Sequence, residues 1–465
     1  MVETLETLTS RAETLYGQGK REEAISVFQQ AALAYPHDGV AAHNFAAILG
    51  DAGRHEESAA QARRALSIGA RSAETHLVLA RALANAGELD DALQAYDATC
   101  AVNPFMEPAQ FERCQLIWMR TANPQAALAG LKQDIKRHPG AGVLHFVKAR
   151  VLQYTGDLDG ACGEMEALVR REPSMPALYC QAAHLLNQSG RVQRAHEMAR
   201  QALALAPNHF ECLEIWTITC LAHGNATAAA DGVRRMLQLA PDNQQAINLQ
   251  AMVWRMTGDA GFERLYDYDK FVVPQFIGTP EGWHSLQAYL QDLATELKAV
   301  HPYRSHPFAQ SVQHGSQRSD ILAFQTPAIQ AFRSVLVPLV DAYIAALGSG
   351  SDPLRRRISG SWSVDGVWSV WLQPGGFHTD HFHPSGWLSS AFYVDVPDVV
   401  DRGSREAWIR FGESGIPVSP HQPAQHWVKP EPGMLVLFPS YMWHGTVPFG
   451  GDQPRLTMAM DILPA

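Results

Sequence analysis

Between Gly375 and Pro384 the chain reads Gly-Gly-Phe-His-Thr-Asp-His-Phe-His-Pro, which puts His378, Asp380, His381 and His383 within six positions. Pro432 to His444 follows as Pro-Gly-Met-Leu-Val-Leu-Phe-Pro-Ser-Tyr-Met-Trp-His, and Arg455 comes eleven positions later. Imidazoles, alone or with a carboxylate, hold a mononuclear ion such as Fe(II) on one side and leave coordination positions open. A guanidinium takes a carboxylate in a bidentate pair. Together these residues point to metal chemistry with a carboxylate-bearing ligand.

The clustered residues divide by face. In an extended segment, side chains at i and i+2 share a side. His378 then goes with Asp380, and His381 with His383, on opposite sides. The first pair plus His444 is a two-histidine, one-carboxylate set; the second plus His444 is all histidine. Spacing leaves both open.

The elements that must carry these residues are short strands. Apolar runs at Trp362–Val364, Val367–Leu372, Leu388–Val394, Ala407–Phe411, Met434–Phe438 and Arg455–Met460 are separated by Gly, Pro and Asp. That rhythm predicts a sandwich or jelly roll. Trp368, Trp371, Trp387 and Trp443 are candidates to wall a pocket or fill the core. Helical patterns precede the strands at 281–300 and 326–347. Between them, the polar stretch His306 to Gln317 reads either as a cover for the site or as a plain connection.

The first half is different. Glycines recur every 34 residues at Gly19, Gly53 and Gly87, then at Gly156, Gly190, Gly224 and Gly258. Ala24, Ala92, Ala126, Ala161, Ala195 and Ala229 keep the phase, with Ser58 in one slot, and Pro36, Pro104, Pro139, Pro173, Pro207 and Pro241 close the units. A helical hairpin explains the three residue types. Gly ends the first helix with positive φ, Ala permits close helix approach, and Pro stops the second helix. The step from Gly87 to Gly156 is two periods plus one residue, and Thr121 stands where glycine is expected, so an irregularity is predicted there.

This period resembles the tetratricopeptide repeat over roughly residues 5–260. Such arrays are α-solenoids with a concave binding surface, and the resemblance implies a peptide or protein ligand in the groove. Packing on the second half or self-association are the alternatives. The pattern fades after Gly258, which sets domains at 1–260 and 261–465.

Bulk properties exclude some classes. A net charge of −10 over 465 residues is a poor match to nucleic acid. No run of eighteen apolar residues suggests a membrane span, and the N-terminal stretch lacks the features of a signal peptide. Cys100, Cys114, Cys162, Cys180, Cys212 and Cys220 contain no Cys-x-x-Cys pair. A reduced cytoplasmic protein with buried thiols is expected.

Residues 306–463 resemble 2-oxoglutarate/Fe(II) oxygenases that occur fused to tetratricopeptide repeats. Gln310, Ser311, Gly315 and Gln317 match one block of that family. The Gly375–Pro384 segment matches its Gly-x-His-x-x-His-x-His-Pro pattern. Leu388 to Val394 matches a Leu-Ser-Gly-x-x-Tyr-Val strand, with Ser390 in place of glycine. Pro432, Gly433, Phe438, Pro439 and His444 match the last block. The resemblance implies a double-stranded β-helix (jelly roll) with flanking helices, in an α + β multidomain chain. It favours His381 and His444 as Fe(II) ligands and Arg455 as anchor of 2-oxoglutarate, with Ser389 assisting.

The layout is also similar to aspartyl/asparaginyl β-hydroxylases, which use two histidines and no carboxylate. By that likeness His383 is either a third ligand or a neighbour, and Asp380 is the fallback. The implied activity is hydroxylation by a dioxygenase using Fe(II), 2-oxoglutarate and O2, acting on a peptide or protein side chain held by the repeats. A small metabolite as substrate, or a scaffold with an inactive domain, is the alternative. A cupin reading lacks its expected glutamate among Ser385 to Leu388 and gives no role to Arg455.

Overall fold

The computed structural model describes residues 3–465, which form two compact units, Met1–Val151 and Leu152–Ala465. Among the described residues fifteen α-helices, from Leu5–Gly17 to Gln244–Thr257, make up the repeat array. The second unit therefore holds the last repeats together with the β-rich region.

Within the array the period has the expected physical origin. Gly19, Gly53, Gly87, Gly156, Gly190, Gly224 and Gly258 all have positive φ, between 69° and 93°. Ala24, Ala92, Ala161, Ala195 and Ala229 are fully buried where paired helices approach. Ser58 fits the same slot because its hydroxyl donates to the Ala46 carbonyl at 2.7 Å.

The irregular unit differs from expectation by one residue. Its first helix, Glu107–Thr121, has 15 residues, so the turn falls at Ala122 rather than Thr121. Ala122 adopts φ 51° without being glycine. The shift carries forward: Ala127, not Ala126, is the buried alanine. One inserted residue accounts for the odd step in the glycine series.

The β-rich region has nine strands among the described residues: β1 (Val273–Phe276), β2 (Val312–Arg318), β3 (Trp362–His378), β4 (Leu388–Asp395), β5 (Ile409–Phe411), β6 (His426–Val428), β7 (Met434–Pro439), β8 (His444–Thr446) and β9 (Arg455–Pro464). A six-stranded antiparallel sheet has the order β1-β7-β4-β9-β3-β2, and a three-stranded sheet the order β6-β5-β8.

The large sheet is two-sided. Phe392, Leu435, Leu437, Met458 and Met460 lie on the face packed with helices Leu286–Ala299 and Pro327–Leu347. The first of these helices starts later than its sequence pattern, because Ser285 caps it through the Ala288 N–H. The second is long and apolar enough to cross a membrane by composition. Its Ile329, Phe332, Leu336, Val340, Tyr343 and Leu347 recur every three or four residues, however, and belong to the sheet's core. Phe332 meets Phe392 at 4.9 Å.

The opposite face of the large sheet carries Ser389 and Tyr393 from β4 and Arg455, Thr457, Ala459 and Asp461 from β9. Period-two alternation makes β9 apolar on one side and polar on the other. The two sheets meet through Phe411 and Phe438, with ring centroids 5.0 Å apart. All six cysteines are buried and free, and burial pushes the Cys100 thiol up to about 11.

Candidate metal centre

His381 and His444 are brought together by the backbone. The N–H of each donates to the carbonyl of the other at 2.8 Å, forming an isolated antiparallel bridge. In such a pair the two side chains stand side by side, and the rings are 4.2 Å apart. Two residues on, His383 donates its N–H to the Ser440 carbonyl at 2.9 Å. Its ring is 5.2 Å from both His381 and His444. The three residues can present one nitrogen each within 4.8 Å of one another.

Hydrogen bonds fix which nitrogen that is. His381 Nδ1 is 2.8 Å from the Thr379 carbonyl, and His444 Nδ1 is 2.9 Å from the Met442 carbonyl. A carbonyl only accepts, so both Nδ1 atoms carry protons. His383 Nδ1 lies 2.6 Å from Asp461 Oδ2. Each ring is left with an Nε2 lone pair, the form that binds a metal. Burial, followed by the neighbouring His383, pushes His381 down to about 3. Burial and then His381 hold His444 well below the usual imidazole range. Three imidazoles in this arrangement fit a divalent ion.

The segment leaves the extended conformation after His378, so the strict alternation of faces ends there. His378 stays close, with its ring 5.9 Å from His381. Ser311 Oγ lies between them, 2.9 Å from His378 Nδ1 and 3.2 Å from His381 Nε2. The polar stretch before β2 is thus part of the site, anchored by Phe308 stacking on Tyr154. Asp380 turns away. Its carboxylate pairs with Arg410, whose Nε is 3.0 Å from Oδ1. Gly445 leaves the space for this: a Cβ there would lie 2.6 Å from Asp380 Oδ1.

Arg455 is 1 % exposed and has no carboxylate partner among the described residues. Nη1 donates to the Ala407 carbonyl at 2.8 Å, while among the described residues the buried Nε has no partner. The Tyr393 hydroxyl, also buried, is likewise unpartnered. An uncompensated buried cation is costly, so a cationic recess next to an idle hydroxyl suits an anionic ligand. Burial, followed by the Arg455 charge, holds His378 well below its usual range. A dicarboxylate such as 2-oxoglutarate fits these orphaned donors.

Ser389 has other partners. The strand register sets it opposite Asp461, six residues along β9 from Arg455. Its hydroxyl donates to Asp461 Oδ1 at 2.7 Å and meets Ser440 Oγ at 2.9 Å. The expected assistance of Ser389 to Arg455 stands beside these contacts, which tie its hydroxyl to Asp461 and Ser440 instead. Of the tryptophans, Trp368 stacks on His383 at 5.7 Å, and Trp443 meets Phe382 edge-on at 5.2 Å. Trp387 is core, bonded to the Leu354 carbonyl.

Residues 366–461 match the family model described as "Putative 2OG-Fe(II) oxygenase". Tetratricopeptide-repeat models match residues 9–72, 44–106 and 176–209. The chain is a tetratricopeptide-repeat protein with a C-terminal domain of the 2OG-Fe(II) oxygenase family.

The family implies Fe(II) and 2-oxoglutarate, and the repeats belong to a class that generally mediates protein interactions. No curated protein matches the chain. Among solved structures, a tetratricopeptide repeat protein from Parabacteroides merdae is 17% identical, with 54% of this chain and 98% of that one covered and a TM-score of 0.38. The C-terminal part of a TPR repeat-containing protein from Cytophaga hutchinsonii is 15% identical, covering 52% and 98%, with a TM-score of 0.36. PilF of Pseudomonas aeruginosa is 17% identical, covering 50% and 99%, with a TM-score of 0.32.

Sequence reasoning named Ser311 in its block but gave no site role to Tyr393, Asp461 or Arg410. Of these, Tyr393 and Asp461 were accessible to it. Tyr393 lies four residues from Ser389 and Asp461 six from Arg455, so each shares its partner's face of the strand.

Proposed function

We propose that the oxygenase domain is a 2-oxoglutarate-dependent dioxygenase. Its metal would be held by His381, His383 and His444 in a double-stranded β-helix. The observation carrying this reading is the gathering of three imidazoles within 4.8 Å of one another, in a region that also buries Arg455 with no carboxylate partner among the described residues. Fe(II) in such a site couples oxidative decarboxylation of 2-oxoglutarate, to succinate and CO2, to hydroxylation of a C–H bond. The chain's residues do the positioning. Arg455 and Tyr393 hold the distal carboxylate. Trp368 keeps the His383 ring in place. The carbonyls of Thr379 and Met442 lock the tautomers of His381 and His444.

The substrate we favour is a peptide or protein side chain delivered by the repeats. Supporting this, the last repeat is bonded to the segments around His444. Asn248 Nδ2 donates to the Tyr441 carbonyl at 2.7 Å. Arg255 donates to the Gly412 and Pro423 carbonyls, each at 2.6 Å. We place the ligand along helices Pro176–Gln188, Phe210–Ala222 and Gln244–Thr257, the last of which carries Asn248 and Arg255.

The test is iron-dependent succinate release from 2-oxoglutarate without added substrate. Wild type should turn over slowly and His444→Ala not at all. Equal release by both proteins, or none from iron-loaded wild type, would reject the reading. Peptide-library acceleration of the wild-type rate tests the substrate class.

A further inference from the structure

The three-histidine set leaves the centre without a carboxylate ligand. Asp380, the nearest acid in sequence, is withdrawn by Arg410. Another carboxylate stands directly behind the third imidazole. We propose that Asp461 is a positioning residue that fixes His383 in its metal-binding form and passes negative charge to the metal through the ring. The inference rests on reading His381, His383 and His444 as the metal centre.

Asp461 is engaged on both oxygens. Oδ2 is 2.6 Å from His383 Nδ1, and Oδ1 accepts from Ser389 Oγ at 2.7 Å. Its side chain is only 14% exposed. Ser389 is in turn 2.9 Å from Ser440 Oγ, and the Ser440 carbonyl accepts the His383 backbone N–H at 2.9 Å. The circuit closes on itself: His383 side chain to Asp461, to Ser389, to Ser440, and back to the His383 backbone. It joins β9, β4 and the residue after β7 around one imidazole. Gly386 is required beside it, since a Cβ there would lie 2.3 Å from Ser440 Oγ. Trp368 stacks on the same ring, nearly parallel at 20°.

This arrangement gives the carboxylate a defined task. With both oxygens bonded, Asp461 is not a free ligand or base. A carboxylate accepting Nδ1–H orients the ring and raises the basicity of Nε2. A facial triad normally obtains its negative charge from a bound carboxylate. Here the charge stands one imidazole further out.

The test uses the full-length chain and measures metal binding rather than turnover. Co(II) is titrated into the metal-free protein by absorbance, and the Fe(III)/Fe(II) midpoint potential is measured on the iron-loaded protein. Asp461→Asn keeps an acceptor for Nδ1–H but removes the charge. Asp461→Ala removes both. Ser389→Ala removes one support. Asp461→Ala should weaken Co(II) binding ten- to a hundredfold and change its ligand-field spectrum toward that of His383→Ala. Asp461→Asn should lose less affinity but raise the midpoint potential. A tenfold preferential loss of ferric over ferrous binding corresponds to ~59 mV. Ser389→Ala should fall between Asp461→Asn and wild type.

Circular dichroism establishes that each variant is folded. If Asp461→Ala is unfolded, Asp461→Asn and Ser389→Ala decide through the potential. Wild-type affinity, spectrum and potential in a folded Asp461 variant would overturn the inference. The oxygenase reading fails separately: a wild type that binds Co(II) through three histidines but releases no succinate leaves the role of Asp461 standing.

Discussion

Asn248 and Tyr441 are 193 positions apart, yet Asn248 Nδ2 donates to the Tyr441 carbonyl at 2.7 Å. Tyr441 lies three residues before His444, so a residue of the last repeat helps set the path of the chain into the metal centre. Tyr266 reinforces it, with its hydroxyl 3.1 Å from the same carbonyl. The donor is fully buried. Asn248→Ala removes one of the two donors to that carbonyl, and the loss of such a hydrogen bond costs about 0.5–1.5 kcal/mol. We expect a lower thermal midpoint and weaker metal binding together. A variant with lower stability but unchanged metal affinity would show that the repeat supports the fold without shaping the site.

Arg455 and Tyr393 are expected to act on the co-substrate and not on the metal. Tyr393→Phe should raise KM for 2-oxoglutarate several-fold and leave Co(II) affinity unchanged. Arg455→Leu should raise it a hundredfold or more, since a charged pair is lost from a buried site. Both effects are read from succinate release against 2-oxoglutarate concentration. Because Tyr393→Phe removes only an unpartnered hydroxyl, it should not destabilise the ligand-free protein.

Two glycines separate backbone strain from docking. At Gly156 (φ 93°) an added Cβ would meet nothing within 4 Å, whereas at Gly224 (φ 73°) it would lie 3.1 Å from the Ser419 carbonyl oxygen. Ser419 also donates its N–H to the Leu221 carbonyl at 3.0 Å. Alanine at either position meets the positive-φ penalty of about 1 kcal/mol. Gly224→Ala should cost more in chemical denaturation, and it alone should increase proteolysis of the segment around Ser419.

Ala122 offers the reverse substitution. It holds φ 51° with a side chain that disfavours it. Ala122→Gly should raise the denaturation midpoint of the Met1–Val151 unit by an amount equivalent to about 0.5–1 kcal/mol. No change would mean that the greater freedom of the unfolded glycine chain cancels the relief.

His301 gives a pH prediction. It is buried, with Nδ1 2.7 Å from Ser316 Oγ and Nε2 3.0 Å from Ser369 Oγ. Burial, helped by Arg318, pushes it down to about 4 from 6.5. The unfolded chain therefore takes up a proton between these values that the folded chain refuses. Its contribution is fully present above pH 6.5 and is lost as pH falls toward 4, by about 3 kcal/mol in all. His301→Gln should flatten the pH dependence of stability in that window relative to wild type. Parallel curves for the two proteins would contradict this assignment.

The sequence by itself determined the repeat array, because each unit repeats a local requirement. A positive-φ turn at Gly190 or Gly224, a small residue at Ala195 or Ala229 and a breaking proline depend only on neighbours within 34 residues. Local chemistry also singled out His381, His383, His444 and Arg455 as residues of interest. Only the tertiary structure decided how they sort. Asp380 is as close in sequence as His383, but Arg410 and the space at Gly445 draw it away. Ser389 and Asp461 meet through a strand register that joins residues 72 positions apart. The tautomer of each histidine depends on an acceptor supplied by the folded chain. Long-range pairing is set by the packing of two sheets, and no local pattern in the chain encodes which side chain will stand opposite which.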